Sequence, residues 1–169
     1  VEDGRYPVVT GLEHDEMGHP SGDAVNHIAM TKKRRNKLKT LADELPVPEV
    51  CGPNSGDVLL VGWGSTKGPL LEAVEQLTNE GYTLSSMHIK HINPLPTGLE
   101  DILPRFKSVY IVEMNDGGVY GYGQLAGVLR ARYADSRIKG INKTAARRWK
   151  VSEIIERVKA RLEEETAAA

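Results

Sequence analysis

Two stretches of this 169-residue sequence carry residues of the kinds that do chemistry. The first is Gly64-Ser65-Thr66-Lys67, a glycine turn with two hydroxyls and a cation directly after the apolar run Val58-Leu59-Leu60-Val61. Backbone N–H groups at the start of a helix attract anions, so phosphate binding is the first chemistry to test. The spacing fits neither familiar form. A dinucleotide fingerprint wants its third glycine where Lys67 stands and an acidic residue where His91 closes the next strand; a P-loop wants glycine before its lysine, whereas Lys67 precedes Gly68. A tight strand-to-helix turn that lets Trp63 pack accounts for the same residues. The second stretch ends a buried strand with Glu113 and Asn115, placed either to fix a ligand or neighbouring subunit or to cap the following helix. Ser65 sits in no Gly-x-Ser-x-Gly elbow, so a hydrolase triad is not indicated.

His14, His19 and His27 are interleaved with Glu13, Asp15, Glu16 and Asp23. These are metal-ligating types, but zinc sites usually show paired ligands at fixed spacing on a defined element, and this spacing is irregular on a loop. A solvated, partner-facing loop is the expectation, with no metal site. His88 and His91 are expected within one strand, three residues apart and therefore on opposite faces. The basic run from Lys32 to Lys39 lacks interleaved aromatics and reads as the wet face of a helix, not a nucleic-acid contact.

Alternating strands and helices must position these residues. Residues 1 to about 26 show no period of 2 or 3.6 and read as irregular, wrapping chain. A helix is expected from about His27 to Leu45, with Leu38, Leu41, Ala42 and Leu45 as its apolar stripe, stopped by Pro46 and Pro48. The stretch through Cys51-Gly52-Pro53-Asn54-Ser55-Gly56 reads as a linker, which divides the chain into a segment 1–56 and a domain 57–169. In the domain, the strand at 58–61 is followed by a helix with Pro69 in its first turn and Gly81 just past its end. A strand over 83–91 leads to the turn Asn93-Pro94-Leu95-Pro96. Then come a short helix at 99–103, a strand at 109–112, a helix at 123–133 with Leu125, Val128 and Leu129 inward, and an edge strand at Ile138. The last helix is expected to be capped by Ser152 and striped by Ile154, Ile155, Val158 and Leu162. The order implies a three-layer α/β/α fold with a mostly parallel mixed sheet, in which ligands and partners meet the strand ends.

Composition narrows the classes. The 22 basic and 23 acidic residues nearly cancel, which argues against nucleic acid, an anionic membrane or an acidic substrate. Cys51 is the one cysteine, so these residues hold neither a disulfide framework nor an iron–sulfur cluster by themselves, and a cytoplasmic setting is expected. No apolar run approaches the roughly 20 residues of a membrane span. The start at Val1, without an initiator methionine or signal-peptide pattern, is what a fragment or processed chain would show.

Thr10-Gly11-Leu12-Glu13-His14-Asp15-Glu16-Met17-Gly18, then Asn26-His27 and Met30-Thr31 before the basic helix, form an ordered set with Gly62-Trp63-Gly64-Ser65-Thr66. Pro94-Leu95-Pro96, Val112-Glu113-Met114-Asn115 and Gly123-Gln124-Leu125 extend it. Over residues 5 to 130 this set resembles the C-terminal region of the alpha subunit of 2-oxoacid:ferredoxin oxidoreductases, the 2-oxoglutarate type especially. The resemblance implies a domain like the C-terminal domain of transketolase. The complete family enzyme decarboxylates a 2-oxoacid on thiamine diphosphate and magnesium, passes electrons through an iron–sulfur cluster to ferredoxin, and forms an acyl-coenzyme A. This chain lacks the family's Gly-Asp-Gly diphosphate motif, of which Asn115-Asp116-Gly117-Gly118 is a partial echo, and its cysteine set. The implied role is therefore to brace an active site, with no catalytic residue of its own and no activity in isolation. Gly64, Ser65, Thr66, Lys67, Glu113 and Asn115 are the candidate crevice for coenzyme A or subunit contacts, Lys67 suiting the phosphates. The implied partners are the remainder of the alpha subunit, a thiamine-binding beta subunit and ferredoxin, and an isolated domain is free to homodimerise. A free-standing α/β module for an anionic small molecule is the alternative from another class.

Overall fold

The run Val58-Leu59-Leu60-Val61 is apolar at every position because both of its faces are covered. Val58 and Leu60 pack with Leu70, Ala73 and Leu77, whereas Leu59 and Val61 pack with Ile111, Leu125 and Leu129. Alternate side chains of a strand point to opposite faces, so a continuous apolar run marks a strand between two layers. The computed structural model describes residues 3–4 and 10–168 and divides the chain into two units, Val1–Leu45 and Pro46–Ala169.

The second unit is built on a five-stranded sheet in the order β1-β3-β2-β4-β5. Its strands are β1 (Val50–Cys51), β2 (Gly56–Trp63), β3 (Leu84–Ile89), β4 (Phe106–Glu113) and β5 (Ile138–Asn142). β2, β3, β4 and β5 are parallel, and β1 lies antiparallel on the edge, Val50 opposite Met87. The segment expected as a linker thus contributes a strand; two residues are too short to leave a periodic signal. Around the sheet run α2 (Lys67–Asn79), α3 (Leu99–Ile102), α4 (Gln124–Tyr133) and α5 (Val151–Ala168). Leu70 and Leu77 of α2 share one core with Ile154 and Val158 of α5, and Leu99 of α3 shares the opposite core with Leu125 and Leu129 of α4. The fold is the expected three-layer α/β/α arrangement with a mostly parallel mixed sheet.

Three local expectations change. Val128 is 50% exposed, so α4 turns Leu125, Ala126 and Leu129 inward instead. Ser152 lies inside α5, which begins at Val151; its start is held by Glu153, whose carboxylate accepts from the Lys150 backbone N–H at 2.9 Å and from Lys143 Nζ at 2.5 Å. A carboxylate in the first turn answers both the orphan N–H and the helix dipole, which a serine hydroxyl does less strongly. β3 ends at Ile89, before His91, because the chain must leave the sheet ahead of Pro94.

In the first unit, α1 is Ala24–Glu44. It begins earlier than the periodicity suggests because Asp23 is its N-cap, accepting from the Asn26 N–H at 2.8 Å. It ends where Leu45 turns extended ahead of Pro46. Leu38 and Leu41 of the expected stripe are exposed, and Ala42 is the stripe's buried member. Residues 13–21 fold back on themselves: His14 and Pro20 form an isolated bridge, and the Asp15 carboxylate accepts from the Met17 and His19 N–H groups at 2.9 Å. The expected wrapping segment extends over residues 1–2 and 5–9, which lie outside the described residues.

Candidate functional site

From β2 the chain passes through α2 to β3 on one side; from β4 it passes through α4 to β5 on the other. α2 and α4 also pack on opposite faces of the sheet. The carboxyl ends of β2 and β4 are therefore a topological switch point, the place where open α/β sheets leave a crevice. Both candidate stretches end there.

The turn after β2 is made by close approach. A Cβ on Gly62 would overlap the Thr66 hydroxyl and stand 3.0 Å from a Leu70 methyl, so a larger residue would push α2 away. Thr66, 2% exposed, donates its hydroxyl to the Trp63 carbonyl at 2.9 Å and closes the turn. Gly64, Ser65 and Lys67 are exposed around it, with Gly64 in the left-handed region at φ 59°. Ser65 Oγ lies 3.5 Å from Met114 Sδ, which ties the two strand ends together.

Glu113 lies inside the protein at this point. It has no exposed surface, and its carboxylate accepts from the Leu125 N–H at 2.9 Å, the Ala126 N–H at 3.0 Å, Asn115 Nδ2 at 2.9 Å and Trp63 Nε1 at 3.3 Å. Two of these donors are the free N–H groups at the start of α4, so the side chain acts as a cap supplied from the end of a strand. Asn115, half-buried, continues the network by accepting from Asn142 Nδ2 at 2.9 Å. The network exists because two glycines leave room for it. At Gly123 a Cβ would overlap the Asn142 amide and stand 2.8 Å from Glu113 Oε1; at Gly140 it would overlap Asn142 and the Tyr122 carbonyl.

The six candidate residues therefore sort into a surface set, Gly64, Ser65 and Lys67, and an interior set, Thr66, Glu113 and Asn115, whose polar atoms are taken up by protein bonds. Trp63, Asn142, Gly123 and Gly140 complete the interior set. They escaped the sequence reading because parallel pairing and crossover helices, not local spacing, bring them to Glu113.

His88 and His91 do not straddle the sheet as expected. The strand stops between them, its alternation lapses, and both line one cleft beside Lys67 and Lys90. In the first unit, the residues resembling a metal box are held by one another. Arg34 grips the Glu13 carboxylate with both terminal nitrogens at 2.9 and 2.8 Å, and His27 Nδ1 adds a contact at 3.0 Å. The Arg34 guanidinium holds the Glu13 carboxyl down to about 2. Among the described residues, no group of three His, Cys, Asp or Glu side chains is arranged to hold a metal ion, and no helix is long and apolar enough to cross a membrane.

A doubly wound sheet with a closed polar network under its switch point defines an α/β domain of the open-sheet class. The chain is 36% identical, over 94% of its length, to the alpha subunit of 2-oxoacid:ferredoxin oxidoreductase 2 of Aeropyrum pernix, and 33% identical over 80% to the 2-oxoglutarate oxidoreductase subunit KorA of Mycobacterium tuberculosis. Among solved structures, the 2-oxoglutarate:ferredoxin oxidoreductase of Magnetococcus marinus, with 2-oxoglutarate, coenzyme A and succinyl-CoA bound, matches 92% of the chain at a TM-score of 0.76 and 31% identity, using 26% of its own chain. No family model matches. In sequence and fold the chain is thus a relative of the alpha subunits of the 2-oxoacid:ferredoxin oxidoreductases, and it spans 26% and 22% of the length of these two curated relatives.

Proposed function

We propose that the chain is the C-terminal domain of such an alpha subunit and braces an active site built by the remainder of that subunit and a thiamine-binding beta subunit. Two observations support the reading together: the likeness covers nearly all of this chain but a quarter of its relative, and the ends of β2 and β4 are backed by a network of buried hydrogen bonds. A site shared with neighbours needs supporting elements that do not move, and the Glu113 network supplies that without presenting reactive groups. The reaction is the oxidative decarboxylation of a 2-oxoacid, 2-oxoglutarate foremost, to an acyl-coenzyme A in the cytoplasm, with ferredoxin as acceptor. Thiamine diphosphate, magnesium and the iron–sulfur cluster belong to other parts of the enzyme. Coenzyme A fits this chain better, because Lys67 stands exposed in the first turn of α2, where a phosphate would meet both its charge and the helix N-terminus. In the assembled enzyme, Lys67→Ala should weaken coenzyme A binding about tenfold, the order of one charge-assisted contact. An unchanged dissociation constant removes Lys67 from that role.

A further inference from the structure

A cleft of about 220 Å³ lies among segment 46–51, the first turns of α2 and the carboxyl end of β3. Its polar residues are Ser86 and His88 on β3, with Lys67, Lys90, His91 and Glu49 around them. Ser86 is 1% exposed, and its hydroxyl has no hydrogen-bond partner among the described residues. The preceding serine shows what β3 normally arranges: Ser85 Oγ donates to the Pro53 carbonyl at 2.6 Å. His88 has the same feature two residues on. Its Nε2 faces the Gly64 carbonyl at 3.1 Å, which fixes the proton on that nitrogen and leaves Nδ1 buried and unpartnered. Ser86 and His88 lie on one face of β3, opposite Leu60 and Gly62 of β2.

Buried polar groups in native proteins are nearly always satisfied by protein, water or ligand, and in this cleft the unpartnered Ser86 hydroxyl, flanked by two lysines, offers a donor to a ligand's acceptor. The charge around that hydroxyl decides the ligand's sign. Lys67 and Lys90 are cations, and Glu49 is the single carboxylate on the lining. The volume decides its size, being below the roughly 300–1,000 Å³ of drug-sized pockets. Prolines and leucines of the same segments form the other walls.

We propose that this cleft binds a small oxyanion, a carboxylate or phosphate group with apolar atoms next to it. The Ser86 hydroxyl donates to one oxygen. Lys67 and Lys90 supply the compensating charge. This site shares Lys67 with the coenzyme A reading but not Ser86 or Lys90, so substitutions at those two residues test it apart from that reading.

The test is a chemical-shift titration of the ¹⁵N-labelled 169-residue chain with inorganic phosphate and, separately, with butyrate, at ionic strength held constant with sodium chloride. Saturable shifts confined to Ser86, His88, Lys67 and Lys90 are expected with at least one of the two, and the stronger of them tells carboxylate from phosphate. Ser86→Ala should weaken that binding at least tenfold. Should that variant fail to fold, Lys90→Met, at an exposed position, carries the same comparison with a severalfold loss. Shifts that rise linearly, that spread over lysines elsewhere, or that survive in the variant that folds would overturn the proposal.

Discussion

Glu113 shows how one side chain can hold two strand ends and a helix start together. A carboxylate without exposed surface is tolerable only where donors surround it, and here they come from Trp63, Asn115 and the start of α4. Glu113→Ala would strand them all, so a loss of about 3 kcal/mol or more is expected in urea denaturation. Glu113→Gln keeps one acceptor but turns an NH₂ toward a donor, and about half that loss is expected. Equal stability of both variants and the parent would show that the cap is dispensable. Glu13 gives the residue-scale pH prediction. Its carboxyl is lowered from 4.5 to about 2, first by the Arg34 hydrogen bonds, so the pairing is complete above pH 4.5 and is lost as pH falls through about 2. A ¹³C titration of the Glu13 carboxyl should show that depressed midpoint, and Arg34→Gln should move it back toward 4.5. A midpoint already near 4.5 in the parent would mean that the pair does not persist in solution. The sequence placed Glu113 at the end of a strand with capping as one of its two roles. It does not show Glu13 and Arg34 as partners, because they are 21 residues apart and lie in segments of different pattern, an irregular loop and a basic helix.

At the scale of elements, continuous apolar runs made β2 and β4 readable, an apolar stripe did the same for α5, and Pro69 and Gly81 marked the two ends of α2. The two-residue β1 and the Asp23 start of α1 left none. The junction between β4 and α4 depends on glycine in a way that a pair of substitutions separates. Gly123 has φ 78° and room for no Cβ, whereas nothing lies within 4 Å of a Cβ on Gly127, inside α4. Gly123→Ala should therefore cost more than about 2 kcal/mol, from strain and from displacement of Asn142 and Glu113. Gly127→Ala should stabilise by about 0.5–1 kcal/mol through helix propensity. Thermal unfolding of the two variants checks both signs; equal shifts would mean that α4 does not sit on the Glu113 network as described.

At the scale of the whole molecule, we propose that these residues supply a support for chemistry done elsewhere. Fold class was legible because alternating strands and helices admit few arrangements. The interior half of the candidate site was not, since its members meet across parallel strands. The most direct measurement is oxoacid-dependent reduction of ferredoxin in the presence of thiamine diphosphate, magnesium and coenzyme A, with the 169-residue chain assayed alone and within the assembled alpha and beta subunits. No turnover alone, turnover in the assembly, and a lower rate there with Glu113→Gln are the predicted results. Turnover by the chain alone would contradict the account.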